Sequence, residues 1–199
     1  QLINNTNINS IYQNFKIKES NFLINEKIKS SRYAMQYFTL NNINYLAYLE
    51  SVEDTDYIWE INQNFKIITN GNKIIKTVGL ENDFSLSNCS INFSEIMKLI
   101  SNEIIRNNCL LRFRNPDSSY LEINYKYSLV KKGKKLKVVN NYEYDYRLVE
   151  ESFEVPLINF KGKNYYWIDN NGIAWESKQI LSPKNGLKVR TTLVKSYSR

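Results

Sequence analysis

Short runs of aromatic and β-branched residues recur along most of this chain, and this pattern constrains the fold more than any other feature. The runs at 32–40 and 43–50 are joined by Asn41 and Asn42, and further runs follow at 56–61 and 65–69. A spacing of about ten residues between such runs is typical of an antiparallel meander. The 15 tyrosines and 9 phenylalanines agree with this prediction, because aromatic side chains pack well on pleated sheets.

The clearest turn lies at Asn70 and Gly71, between the runs at 65–69 and 73–78. Both central residues of a type I′ turn need a positive φ, which Asn and Gly adopt readily, so the pair predicts a β-hairpin. A phosphate-binding loop would need several glycines and a following helix. One glycine before a strand therefore indicates a structural hairpin.

The return strand of this hairpin carries two lysines. Because side chains alternate along a strand, we expect Lys73 and Lys76 on the wet face and Ile74 on the buried face. Gly79 is expected to end the strand or to allow a bulge.

Strands return in the second half of the chain. Residues 118–130 alternate apolar with polar side chains, which predicts a sheet with one buried and one wet face. The basic cluster at 131–135 is typical of a solvated hairpin tip, and the segment at 161–163 separates two further runs. Strands are predicted at 136–139, 142–155, 164–169, 173–181 and 187–197.

Two segments have helical spacing instead. Apolar residues between 8 and 23 recur with a period near 3.6, and those between 92 and 106 do the same after a possible capping box at Asn92 and Glu95. About ten strands and two helices predict a mainly β fold, in which a curved antiparallel sheet forms a partly open barrel or half-barrel. We divide the chain into an N-terminal tether and helix, 1–31, and a single β domain, 32–199, with a helical crossover near 92–106.

The two cysteines bracket the predicted central helix. In an oxidising compartment, a bridge between Cys89 and Cys109 would join the two ends of this crossover. The alternative is a pair of buried thiols. The spacing leaves both possibilities open.

The chain has no histidine, which removes the commonest general base and the commonest metal ligand. A Ser-His-Asp or Cys-His site is excluded, and two distant cysteines do not make a zinc site. Acidic clusters near Glu53, Glu143 and Glu150 suit loop solvation better than a catalytic carboxylate pair. We therefore predict no enzymatic activity, no metal and no cofactor.

The net charge of +7 is compatible with a polyanionic partner, with an anionic membrane surface or with an ordinary solvated surface. Most tyrosines lie at positions that a core needs, so we expect no nucleic-acid partner. No stretch approaches the roughly 20 apolar residues of a membrane span.

The order of two sequence motifs resembles that of a known family. The first comprises residues 57–59 (YIW) and 67–80 (IITNGNKIIKTVGL), and the second comprises 164–183 (NYYWIDNNGIAWESKQILSP) and 189–195 (VRTTLVK). In this order they resemble the YjbF/GfcB (YmcC-like) family of bacterial lipoproteins, which is associated with group 4 capsule and exopolysaccharide operons. Lys73 stands where an arginine is common in the family.

The resemblance implies a lipoprotein on the periplasmic side of the outer membrane, held by an N-terminal lipid anchor that this sequence does not include. It implies a non-enzymatic role in capsule or exopolysaccharide assembly or secretion, with polysaccharide or export proteins as partners. Trp59, Trp167 and Trp175 are our candidates for glycan contact, since tryptophan rings stack on sugars, although all three also suit a core. The alternative function is a periplasmic carrier that binds a lipid or other apolar ligand in the half-barrel.

Overall fold

Consecutive strands of the chain pair with one another from the first strand to the last. The computed structural model describes residues 33–40, 43–80, 82–89, 93–96, 103–114, 120–136, 143–182 and 187–196. The first six strands are β1 Met35–Leu40, β2 Ile43–Glu53, β3 Asp56–Asn62, β4 Phe65–Asn70, β5 Lys73–Val78 and β6 Phe84–Ser87. The other six are β7 Ile104–Phe113, β8 Leu121–Leu136, β9 Glu143–Val155, β10 Phe160–Asp169, β11 Ala174–Ser182 and β12 Leu187–Lys195.

The sheet closes on itself, because β1 pairs both with β2 and with β12. All neighbouring strands are antiparallel, as predicted, but the barrel has twelve strands and is closed. The prediction of a partly open barrel of about ten strands was wrong. Closure pairs the backbone groups that an open edge would leave exposed, which is the physical reason to prefer it.

The predicted central helix is the second correction. Among the described residues, helix α1 is Phe93–Ile96, and the predicted helical residues from Ile104 onward belong to β7 instead. Ile96 is completely buried, whereas Ile104 is 47% exposed, so the apolar residues at helical spacing do not share one buried face. Within the described residues, the other helical segment is one 3-10 turn, Pro156–Ile158. The predicted N-terminal helix lies outside the described residues.

Two basic segments lie within strands rather than at turns. Residues 131–135 belong to β8 and pair with β9, so they do not form a hairpin tip. Residues 161–163 belong to β10 in the same way. Lys161 and Lys163 are exposed on the outward side of β10, and Lys131, Lys132 and Lys134 of β8 are exposed as well, so water solvates these charges.

The core fills the barrel interior with the inward side chains of all twelve strands. Burial alternates along β10, where Asn164, Tyr166 and Ile168 point inward and Tyr165 and Trp167 point outward. Ile96 of α1 belongs to the same core. Within the described part of the chain, no helix is long and apolar enough to cross a bilayer.

A disulfide bond joins Cys89, just after β6, to Cys109 in β7. These two strands are neighbours in the sheet, with Ser87 opposite Leu110. The bond therefore crosslinks adjacent strands at one end of the connection that contains α1.

Candidate functional site

The interior of the barrel contains a buried ion pair. Lys73 Nζ lies 2.7 Å from Glu151 Oε2, and the exposed fractions of the two side chains are 6% and 0%. The prediction that Lys73 lies on the wet face was therefore wrong. The ladder between β4 and β5 shifts register between Ile68 and Thr69, so simple alternation does not extend to the start of β5. Lys76 is exposed and Ile74 is buried, as predicted.

Glu151 is surrounded by hydrogen-bond donors. Asn164 Nδ2 donates to Oε1 at 2.7 Å, and the Tyr166 hydroxyl donates to Oε2 at 3.1 Å. Lys73 also lies 3.5 Å from the centroid of the Tyr125 ring, a cation–π contact in a desolvated site. The carboxylate and its cation are therefore both well coordinated, as a buried ion pair requires.

Burial shifts the pKa values of this cluster. It lowers the pKa of Lys73, and the nearby Glu151 only partly offsets this effect. Burial, followed by the negative charge of Glu151, raises the pKa values of Tyr125 and Tyr166 well above the usual range for tyrosine. Both phenols thus stay protonated, and the Tyr166 hydroxyl acts as a hydrogen-bond donor to Glu151.

A second network ties the hairpin of β4 and β5 to the opposite wall of the barrel. Gln179 of β11 accepts a hydrogen bond from the Ile74 backbone nitrogen at 2.9 Å and donates one to the Asn72 carbonyl at 2.8 Å. The Asn72 side chain donates to the Ala174 carbonyl and accepts from Gln36 Nε2, both at 2.7 Å. The turn itself consists of Gly71 and Asn72, between the paired residues Asn70 and Lys73, and it thereby places buried polar groups inside the barrel.

Little room remains inside. A cavity of about 20 Å³ lies beside Lys73, Tyr125 and Asn164, which is close to the space of a single water molecule. A carrier would need an apolar cavity of roughly several hundred Å³. The cavity beside the buried cluster is far smaller than that.

The three candidate tryptophans lie in different places. Trp59 is 4% exposed inside the barrel, and its indole nitrogen donates to Thr69 Oγ1. Trp175, at the start of β11, donates to Asp169 Oδ2 at 2.8 Å. Trp167 lies on the outer face of β10, one strand away from Trp175. The structure therefore does not bring the three rings together.

Trp167 belongs to a charged patch on the outer face. Lys135 Nζ lies 4.6 Å and Lys178 Nζ 5.7 Å from the centroid of its ring. Glu176, which pairs with Trp167 across β10 and β11, is only 4% exposed. It forms ion pairs of 2.7 Å with both Lys135 and Arg190, so two cations hold this carboxylate beside the ring.

An open groove of about 730 Å³ runs beside this patch on β10, β11, β12 and β1. Its outward side chains include Tyr165 and four cations. Tyr165 pairs with Lys178, and Lys178 pairs with Arg190, so these three form one row across the strands. The four cations are Lys163, Lys178, Lys188 and Arg190.

One of these cations is paired with Glu150. Lys163 Nζ lies 2.9 Å from Glu150 Oε1, and the Ser152 hydroxyl donates to the same oxygen at 3.0 Å. Burial alone would raise the pKa of Glu150. The hydrogen bonds from Lys163, Ser152 and Tyr165, together with the positive charge of Lys163, outweigh burial and lower that pKa. Glu150 therefore stays ionised and fixes Lys163 at the edge of the groove.

The groove residues were not predicted from the sequence. The row consists of Tyr165, Lys178 and Arg190, which lie on three consecutive strands. Only the pairing of β10, β11 and β12 brings these residues together. The sequence did contain one signal for the groove. Each of the three strands carries a cation at a position that alternation places on the outward face. Among the described residues, no group of three or more cysteine, aspartate or glutamate side chains is arranged to hold a metal ion.

Comparison with known families gives one match over nearly the whole chain. The family described as "Group 4 capsule polysaccharide lipoprotein gfcB, YjbF" matches residues 8–194. This finding confirms the resemblance seen in the two sequence motifs. No curated protein sequence matches the chain.

Comparison with solved structures gives two lipoproteins, of which the first has the higher TM-score. The hypothetical lipoprotein YmcC from Escherichia coli (K12) is 16% identical, with a TM-score of 0.71 over 100% of this chain and 98% of that one. A putative lipoprotein from Parabacteroides distasonis is 10% identical, with a TM-score of 0.39 over 83% of this chain and 95% of that one. The first likeness supports the barrel fold.

Proposed function

Since the chain belongs to the YjbF family of group 4 capsule polysaccharide lipoproteins, we propose that it assists the assembly or secretion of capsule or exopolysaccharide. In this proposal it is a non-enzymatic lipoprotein on the periplasmic side of the outer membrane, attached through an N-terminal lipid anchor. The observation that carries the proposal is the family match over residues 8–194, which includes the whole barrel except Lys195, the last residue of β12.

Two structural features support this assignment. The disulfide between Cys89 and Cys109 suits an oxidising compartment such as the periplasm. The filled interior favours a protein that acts through its outer surface rather than one that carries a ligand inside. Polysaccharide and export proteins are therefore the partners that we propose.

The carrier alternative has less support. The barrel interior contains the ion pair between Lys73 and Glu151 where an acyl chain would need an apolar lining. Buried charges next to a lipid tail would be costly. We therefore retain the accessory role in polysaccharide export.

Deletion of the gene in its native host tests the proposal. We expect the surface polysaccharide, measured by staining of intact cells, to fall strongly in the deletion strain and to return when the wild-type gene is supplied in trans. Unchanged surface polysaccharide after deletion would contradict the proposed function. Staining of lysed cells as well would separate a defect in export from a defect in synthesis.

A further inference from the structure

Two neighbouring grooves lie on the outside of the barrel, and their charged lining residues are mainly basic. The carboxylate among their lining residues is Glu154 in the second groove, which forms an ion pair with Lys161. The groove on β10 to β1 has a volume of about 730 Å³, and a second groove on β7 to β10 has a volume of about 620 Å³. Lys163 lines both grooves. The six strands from β7 to β12 are adjacent in the sheet, so the surface extends roughly 24 Å at about 4.8 Å per strand spacing.

Register places the cations of the second groove side by side. Arg106 of β7 lies opposite Lys126 of β8, Lys126 lies opposite Ser152 of β9, and Ser152 lies opposite Lys163 of β10. Arg106, Lys126 and Lys163 are all exposed. This row runs across the strands and leads directly into the first groove.

The charges of the first groove are only partly compensated. Counting Lys135 beside Trp167, five cations face the two carboxylates Glu150 and Glu176. Lys178 and Lys188 form no ion pair with any carboxylate among the described residues. Their charges are available to a ligand without breaking an existing salt bridge.

Two aromatic rings lie on the outward side of β10, next to these cations. Tyr165 lines the first groove between Lys163 and Lys178, and Trp167 lies next along β10 on the outward side. An aromatic face packs against the apolar face of a sugar ring, and the adjacent ammonium groups attract carboxylates. Cations spread along an extended path, with the Tyr165 ring among them, suit a linear polymer better than a small anion.

We propose that this outer surface, from Arg106 to Arg190, binds a linear acidic polysaccharide that lies across the strands. The inference rests on the proposed function, and it adds the class of ligand and the residues that contact it. The carboxylates of the polymer contact Lys178, Lys188 and Arg190, and its sugar rings contact Tyr165. The partner is thus a polyanion, recognised by spaced charges and ring faces.

The charge-removing variant Lys178→Gln/Lys188→Gln tests the inference. Its matched control is Lys76→Gln/Lys132→Gln, which removes two exposed lysines outside the groove residues. The probes are short alginate oligosaccharides, which are linear polyuronates, the capsule polysaccharide of the host, and neutral dextran. Binding is measured by calorimetry at low and high salt.

We expect the alginate oligosaccharides and the capsule polysaccharide to bind and dextran not to bind. High salt should weaken the binding. The groove variant should lose at least about tenfold in affinity, whereas the control should change less than about threefold. Equal losses in the two variants would overturn the inference, because they would indicate attraction by net charge alone. Binding to vesicles of phosphatidylglycerol but to neither acidic polysaccharide would overturn it too.

The outcomes separate this inference from the proposed function. If deletion abolishes surface polysaccharide but the wild-type chain binds no acidic glycan, the groove assignment fails and the family role stands. If the groove binds acidic glycan but deletion leaves the surface polysaccharide unchanged, the proposed function fails and the binding site stands. Because both groove lysines are exposed, folding of the variant is expected and is checked by its melting temperature.

Discussion

Lys73 Nζ and Glu151 Oε2 lie 2.7 Å apart inside the barrel, with no more than 6% of either side chain exposed. Lys73→Met removes the cation and leaves the carboxylate of Glu151 buried without a counter-charge. Loss of one partner of a buried ion pair costs about 3 to 5 kcal/mol. We expect urea unfolding to report a decrease of this size in the free energy of unfolding.

Lys76→Met is the matched control for this substitution, since Lys76 is exposed on the same strand. The control should change the free energy of unfolding by less than about 0.5 kcal/mol. In the double variant Lys73→Met/Glu151→Gln, the buried charge is absent and part of the lost stability should return. A Lys73→Met protein as stable as its control would show that the ion pair does not support the barrel.

Gln179 provides the second test of the interior network. Gln179→Leu leaves the Ile74 backbone nitrogen and the Asn72 carbonyl without their hydrogen-bond partner. A buried unpaired polar group costs about 1 to 3 kcal/mol, so the free energy of unfolding should fall by about 3 kcal/mol. The same substitution at the exposed Gln63 should have little effect. Equal free energies of unfolding for the Gln179 and Gln63 variants, measured with urea, would contradict a stabilising role of the Gln179 hydrogen bonds.

Glycine 79 is required by its surroundings as well as by its backbone. Its φ is +96°, and a Cβ atom there would lie 1.8 Å from the Asn64 carbonyl oxygen. Gly172 also has a positive φ, +80°, but no atom lies within 4 Å of its Cβ position. Gly172→Ala should therefore cost about 1 to 2 kcal/mol, from backbone strain alone.

We expect Gly79→Ala to cost clearly more than Gly172→Ala, because β5 must also move away from the turn at Asn64. Thermal unfolding of the two variants, measured side by side, gives the comparison. If the two melting temperatures fall by the same amount, the close approach of the Gly79 Cβ position to the Asn64 carbonyl oxygen does not affect stability.

The bond between Cys89 and Cys109 should stabilise the barrel, because it closes a loop in the unfolded chain and thereby lowers the conformational entropy of that state. For a separation of 20 residues, the chain-entropy estimate is about 3 kcal/mol. The variant Cys89→Ala/Cys109→Ala should melt at a lower temperature than wild type. Dithiothreitol should lower the melting temperature of the wild type but not of the variant. A reductant effect of equal size on both proteins would contradict a role of this bond.

The sequence predicted local structure better than long-range contacts. The hairpin of β4 and β5 and the alternation around Tyr125 follow from turn chemistry and from the period of a strand, which are local properties. The turn itself lies at Gly71 and Asn72, one residue later than predicted, and of these two only Gly71 has a positive φ. Closure of the barrel depends on β1 meeting β12, and periodicity does not specify which strands pair. The same limit explains why ten strands were predicted where twelve are present.

The site was harder to predict for a related reason. Lys73 is buried because Glu151, which is 78 residues away in the chain, provides its counter-charge. A lysine in an alternating run is otherwise expected on the wet face. Tyr165 and Arg190 become neighbours of Lys178 only through strand register. The three tryptophans were predicted as glycan contacts from their residue type alone. The charged and aromatic lining of the groove consists instead of a tyrosine, lysines and an arginine.

In the function proposed above, the chain supports export of polysaccharide through its outer groove. The most direct measurement is complementation of the deletion strain, with surface polysaccharide measured by staining. We expect the wild-type gene and Lys76→Gln/Lys132→Gln to restore the polysaccharide, and Lys178→Gln/Lys188→Gln to restore markedly less at equal protein level. Full restoration by the groove variant would contradict the claim.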